Sequence, residues 1–140
     1  MGKNNIRCYL AGPFTNPEWR DRVISEVEGI DFYNPRTDTL QGSIATFVAG
    51  DLSGVSSCNV CFVYIKKGRG DTGAAIEAER ADAEGKLVIL CSEAVFPHPF
   101  LVGISRRVFF GLEAGIKYLG KLAKVGLENE FQAAYAVWEE

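Results

Sequence analysis

Asn59-Val-Cys-Phe-Val-Tyr-Ile65, then Asp71-Thr-Gly-Ala-Ala-Ile-Glu-Ala-Glu-Arg-Ala-Asp-Ala-Glu-Gly85, then Leu87-Val-Ile-Leu-Cys91 read as strand, helix, strand. The two apolar runs are bounded by turn residues, as strands of a covered sheet are. Asp71 or Thr72 is suited to cap the intervening helix by accepting a first-turn N–H, and Gly85 stops it before the next strand. Working outward, further strands are expected near Ile6–Ala11, Asp31–Tyr33 and Val108–Phe110. Asn16 followed by Pro17 is a helix start, and Trp19, Val23, Ile24 and Val27 recur at helical spacing up to about Glu28. Ser43 can cap a helix through Phe47, Val48 and Leu52 that carries Asp51, although Gly50 and Gly54 lower its propensity. Val95 to Ser105, with Pro97, Pro99 and Gly103, reads as a loop; helices follow at Leu112–Lys124 and about Glu128–Trp138. The sum is a single α/β domain over residues 1–140, a flavodoxin/Rossmann-like parallel sheet of about five strands flanked by helices. Such folds bind ligands at the carboxyl ends of their strands, here the loops after Ala11, Ile65 and Cys91.

A chain of 140 residues with 47% hydrophobic composition supports one buried core. The net charge of −3 offers no basic excess to neutralise a phosphate backbone, so a nucleic acid polymer is not the expected partner and a small molecule is. No apolar run approaches the roughly 20 residues that span a bilayer, and Met1 to Asn5 lack a signal-peptide core. A soluble, cytoplasmic protein is expected. Cys8, Cys58, Cys61 and Cys91 lie mostly inside apolar runs, where free cysteine acts as a small buried hydrophobe; no disulfide is expected.

Several motifs are superficial. Gly68-Arg69-Gly70-Asp71-Thr72-Gly73 matches G-x-G-x-x-G, with Glu93 about twenty residues on. However, Lys66 and Lys67 separate it from the strand, and the remaining chain is too short for a second mononucleotide half. The Gly-Lys-Ser/Thr end of a phosphate loop is missing, and Gly73 is better read as letting a ligand approach the helix start. Cys58-Asn-Val-Cys61 opens a strand, where residues three apart point to opposite faces, so a buried structural role is expected. With His98 the one histidine, neither a metal site nor serine-hydrolase chemistry has its ligands or base. Asp51, Asp71 and Glu77 remain. From spacing alone each has an ordinary role: a solvated helix residue, a helix cap, and an i,i+3 partner of Arg80.

The whole pattern changes that reading. Tyr9-Leu-Ala-Gly-Pro-Phe14, Asp51-Leu-Ser-Gly54, Val63-Tyr-Ile65, and Asp71-Thr-Gly73 with Glu77, Ala81 and Gly85-Lys86 resemble, in order and spacing, the nucleoside 2-deoxyribosyltransferase family. Trp19-Arg20 and Asn34-Pro35-Arg36 are similar to a branch of its superfamily, and Val108-Phe-Phe-Gly-Leu-Glu113 resembles its final strand and helix. The resemblance implies Glu77 as nucleophile, Asp51 as the acid/base beside the nucleobase, and Tyr9 as the tyrosine that orients the nucleophile. Asp71, with Gly12, Phe14 and Gly73, would bind substrate. The implied reaction cleaves an N-glycosidic bond and moves a (2-deoxy)ribosyl group between nucleobases through a covalent glycosyl-Glu intermediate. Partners would be a nucleoside or nucleotide and a free base, within a homo-oligomer whose subunits complete one another's sites; no metal or cofactor is implied. The chain departs from the transferases at Glu79, where they have glycine. It departs again at Arg106 and Arg107, where they tend to have aspartate and asparagine near the sugar. Arginine forks suit phosphate, so a nucleoside 5′-monophosphate N-hydrolase is the alternative, and a non-catalytic nucleotide-binding module a second.

Overall fold

The computed structural model describes residues 5–15, 18–66 and 71–139. Five parallel strands form one sheet: β1 (Arg7–Ala11), β2 (Asp31–Tyr33), β3 (Val60–Ile65), β4 (Leu87–Ser92) and β5 (Arg107–Phe110), in the order β2-β1-β3-β4-β5. Among the described residues seven α-helices accompany them: α1 (Trp19–Glu26), α2 (Pro35–Asp38), α3 (Ile44–Ser56), α4 (Thr72–Ala83), α5 (Pro99–Ile104), α6 (Leu112–Val125) and α7 (Glu130–Trp138), with one 3-10 turn at Leu127–Asn129. This is the expected α/β architecture. Among the described residues no helix is long and apolar enough to cross a membrane.

The inner strands are buried on both faces, which is why they read as unbroken apolar runs. Alternation assigns each residue to a layer. Cys8 and Leu10 of β1 pack with Trp19 and Val23 of α1 and with Ile116, Leu119 and Leu122 of α6. Tyr9 and Ala11 face the opposite layer, with Val55 of α3 and Ala74, Ala78 and Ala81 of α4. Tyr9 is thereby committed to the side on which α4 carries Glu77. The order reverses between β1 and β3, whose following helices leave toward opposite layers and open a crevice at their carboxyl ends.

Ser43 caps α3 through Thr46 N–H, Asp71 caps α4 through Ala74 N–H, and Gly85 leaves α4 with φ of +76°. Two local readings change, at Val95–Ser105 and at Cys58. Val95–Ser105 holds a short helix, α5, because Pro99 sits at its start and His98 Nδ1 accepts the Phe100 N–H. Asn34 caps α2 in the same way, with Pro35 at the first position. The Asn16-Pro17 start lies outside the described residues; α1 begins at Trp19, after Glu18. Cys58 precedes β3 rather than belonging to it, so it shares one core layer with Cys61 instead of facing away. All four cysteines are free and buried.

Two glycines of α6 should respond oppositely to alanine. A Cβ on Gly115 would overlap the Cys91 sulfur and lie 2.8 Å from the Phe62 ring, whereas one on Gly120 meets nothing within 4 Å. Gly115→Ala is expected to destabilise by about 1–3 kcal/mol through overpacking. Gly120→Ala should stabilise by roughly 0.5–1 kcal/mol through helix propensity. Urea midpoints of the two variants check both signs.

Candidate active site

α4 lays small side chains, Ala74, Ala78 and Ala81, on the sheet, so its axis comes close and Glu77 meets β1 directly. The Tyr9 hydroxyl donates to Glu77 Oε2 at 2.6 Å. Tyr9 has no exposed surface, and burial together with the neighbouring Glu77 pushes its phenol far above the ordinary value. It therefore remains a donor. Arg80, the i,i+3 partner considered from spacing, pairs with Glu84 at 4.0 Å instead.

Glu77 and Asp51 of α3 line a pocket of about 250 Å³ with Asp71, Gly73, Gly12, Phe14 and, unexpectedly, Arg20 and Pro35. Asp51 reaches it because α3 approaches through glycines. A Cβ on Gly50 would lie 2.8 Å from Thr39 Cγ2, and one on Gly54 2.7 Å from the Tyr33 ring. The glycines that lower helix propensity thus permit the contact that places Asp51. Its Oδ1 is buried with no hydrogen-bond partner among the described residues. Such an atom costs stability unless a ligand donates to it.

Arg20 supplies the positive charge. It is 1% exposed, and its guanidinium donates to the carbonyls of Leu10 (3.1 Å), Gly12 (2.6 Å) and Pro13 (3.0 Å) and to Glu18 Oε1 (2.6 Å). Trp19 and Phe14 offer ring faces at 4.6 and 4.9 Å. Gly12 fits here because a Cβ would lie 2.6 Å from the Trp19 ring and 2.7 Å from the Tyr64 carbonyl. Phe14 stays 58% exposed at the pocket's mouth. Gly73 has room, a Cβ meeting only Asp71 Oδ1 at 3.6 Å. The remaining glycines of the G-x-G-x-x-G match, Gly68 and Gly70, lie outside the described residues.

The signal for Arg20 was available. Residues 20, 23 and 27 share a helix face, so an arginine there sits on the apolar side of α1 and needs buried partners.

Arg106 and Arg107 are not brought to this pocket. Arg107 opens β5 at the end away from the carboxyl termini, and its Nε and Nη2 donate to Glu130 at 2.5 and 2.9 Å. Arg106 Nε lies 3.8 Å from the same carboxylate, which also accepts from Tyr118 at 2.9 Å. Burial pushes the Glu130 carboxyl up, but Arg107 and Tyr118 outweigh it and hold it below the ordinary value. Within one chain, the phosphate fork expected of this pair is already closed on α7. Among the described residues no His, Cys, Asp or Glu cluster could hold a metal ion.

Burial lifts the Glu77 carboxyl to about 7; the Tyr9 bond opposes this, Asp51 and Asp71 add to it, and Arg20 opposes it. Asp51 is also raised, chiefly by burial, with the Thr39 hydroxyl and Arg20 pulling it down. For Glu77 the folded state binds the proton more tightly than the unfolded state. Stability therefore falls as pH rises from the ordinary carboxylate range through about 7. Glu77→Gln removes that penalty. It should stabilise the fold at pH 8 by about 1–3 kcal/mol, with the gain fading toward pH 4. Thermal melts of both proteins across this range test it; a gain independent of pH would contradict it.

No family model and no curated protein matches the chain. Among solved structures it is similar to the 2-deoxyribosyltransferase of the psychrotolerant bacterium Bacillus psychrosaccharolyticus, with TM-score 0.67 and 20% identity over 89% of this chain and 95% of that one. It is similar to the 2-deoxyribosyltransferase of Leishmania mexicana, with TM-score 0.65 and 17% identity over 87% and 99%. A conserved protein of Enterococcus faecalis V583 gives TM-score 0.62 and 16% identity over 80% and 95%. The chain thus has the fold of these two 2-deoxyribosyltransferases along nearly its whole length.

Proposed function

We propose that the chain is an enzyme that cleaves the N-glycosidic bond of a nucleoside and transfers the (2-deoxy)ribosyl group to another nucleobase. The observation that carries this is the 2.6 Å bond from buried Tyr9 to Glu77, in a pocket into which Asp51 and Asp71 also converge. The fold shared with two 2-deoxyribosyltransferases supports it.

In this reading the Glu77 carboxylate, steadied by the Tyr9 hydroxyl, attacks C1′ of the sugar. The C1′–N bond breaks, its electron pair goes to the base, and Asp51 delivers the proton the base needs. The glycosyl-Glu77 ester is then opened by an incoming base, which returns a proton to Asp51. Water in that second step would make the enzyme a hydrolase. Asp71, fixed as the cap of α4, would hold the sugar, and Phe14 would lie against the base. Arg20 offsets the crowding of three carboxylates without contacting the reacting bond.

The chain is further proposed to act as a homo-oligomer. Phe96 and Phe100 are 91% and 82% exposed beside an apolar recess that shares Asp71 with the site. Uncovered aromatics of this size mark a contact surface. Sedimentation of the purified chain tests that reading; a monomer at micromolar concentration counts against it.

Release of free base from a panel of nucleosides and their 5′-monophosphates, followed by chromatography, tests the reaction. A second base added to the mixture separates transfer from hydrolysis. Glu77→Gln should abolish turnover, and a 2-fluoro sugar analogue should label Glu77 in the wild type. Asp51→Asn should slow ordinary substrates by about 10²–10⁴-fold and spare those with activated leaving groups. The acid limb of kcat/KM should have its midpoint at about 7, where Glu77 ionises. No base release from any member of the panel would leave the non-catalytic binding module.

A further inference from the structure

At the rim of the pocket stands a cation that the fold does not fully consume. Arg36 follows Pro35, which lines the pocket, and its guanidinium carbon lies 5.3 Å from the centre of the Phe14 ring, itself part of the pocket wall. Its Nη1 donates to Glu18 Oε2 at 3.1 Å, while Glu18 Oε1 takes Arg20 at 2.6 Å. One carboxylate thus holds two guanidinium groups. The Glu18 side chain is 12% exposed and that of Arg36 44%, and Arg36 Nε and Nη2 have no acceptor among the described residues.

The backbone beneath Arg36 is fixed. Asn34 Oδ1 accepts the Arg36 N–H at 3.0 Å, Asp38 Oδ2 accepts the Asn34 N–H at 2.9 Å, and Gln41 Nε2 donates to the Pro35 carbonyl at 3.3 Å. A donor carried on such a frame is preorganised for a ligand atom that accepts. Arg20 cannot take this role, because its N–H groups already serve three carbonyls and Glu18.

We propose that Arg36 selects the nucleobase, favouring bases whose edge carries a carbonyl oxygen over bases that carry an amino group there. The proposal rests on the glycosyl-transfer reading, in which the base lies against Phe14, the ring beside Arg36. A guanidinium donates and never accepts. Facing the exocyclic oxygen of guanine, hypoxanthine, thymine or uracil, it makes a charge-assisted hydrogen bond; facing the exocyclic NH2 of adenine or cytosine, it sets donor against donor. The bond also strengthens during the reaction. As the C1′–N bond breaks, its electron pair moves into the base and in part onto that oxygen, while Asp51 protonates the base, and a cation beside the oxygen favours the departure.

The experiment measures kcat/KM for two matched pairs, 2′-deoxyinosine against 2′-deoxyadenosine and 2′-deoxyuridine against 2′-deoxycytidine, in wild type, Arg36→Ala and Arg36→Gln. In whichever pair the wild type cleaves, the oxo base should be preferred. Arg36→Ala should cut that preference roughly 10- to 150-fold, the effect of losing one charge-assisted hydrogen bond. Arg36→Gln, whose amide both donates and accepts, should turn over the amino-base substrate faster than Arg36→Ala does, a rescue that a merely structural role would not give. A wild type that prefers the amino base, or a ratio unchanged in both variants, overturns the proposal. So does a loss seen only with 5′-monophosphates, which would put Arg36 on a phosphate. If Arg36→Ala does not fold, the ratio in Arg36→Gln decides alone. A wild type that releases no base refutes the glycosyl-transfer reading instead; calorimetry with free hypoxanthine and adenine then tests Arg36 by binding, and equal affinities for the two bases overturn the proposal.

Discussion

A guanidinium taken out of water must find an acceptor for nearly every N–H, and the way Arg20 does so organises the β1–α1 corner. The carbonyls of Leu10, Gly12 and Pro13, from the end of β1 into the following loop, all accept from one cation, with Glu18 closing the set. The charge that fixes the loop also faces the pocket. Burying two or three carboxylates together costs several kcal/mol per ion without compensation; Arg20 reduces that cost for Asp51 and Glu77 alike. Replacing it by an apolar residue would take a donor from Glu18 and from three carbonyls at once, so loop geometry and site electrostatics are coupled through a single side chain.

The second device is the use of small residues to bring helices near. Alanines carry α4 onto the sheet, and Gly50 and Gly54 carry α3 onto Thr39 and Tyr33. In each case the polar residue beside the small ones, Glu77 or Asp51, is pressed into contact rather than left at arm's length. The consequence is a carboxyl at about 7, expensive for the fold and useful for chemistry near neutral pH. Tyr9 makes the arrangement tolerable by giving Glu77 a short, buried donor.

At the far end of the sheet, charge is used for attachment. Glu130 gathers Arg107, Arg106 and Tyr118, and the rings of Phe131 and Trp138 lie 5.9 and 5.5 Å from the Arg107 guanidinium. The result pins α7 against α6 and β5. A bidentate arginine so engaged is not available to a phosphate in the pocket of its own chain.

The parallel sheet was legible because strands buried on both faces must be apolar at every position, and Ser43, Asp71 and Gly85 announce helix ends by backbone chemistry that acts within a few residues. α2 and α5 escaped because a helix of four or six residues has too few positions to show a period. At the site, Tyr9, Asp51, Asp71 and Glu77 were found through a resemblance of motifs, whereas spacing alone left each with an ordinary role. That Tyr9 and Glu77 touch across 68 positions of chain, that Arg20 lies among the carboxylates, that Thr39 packs on Gly50, and that Arg107 is engaged by Glu130 were decided by tertiary structure alone. Local sequence specifies which backbone groups need partners and which faces must be covered. Which side chains then share a pocket, and what charge each one carries there, depends on burial and on neighbours brought together only when the layers close.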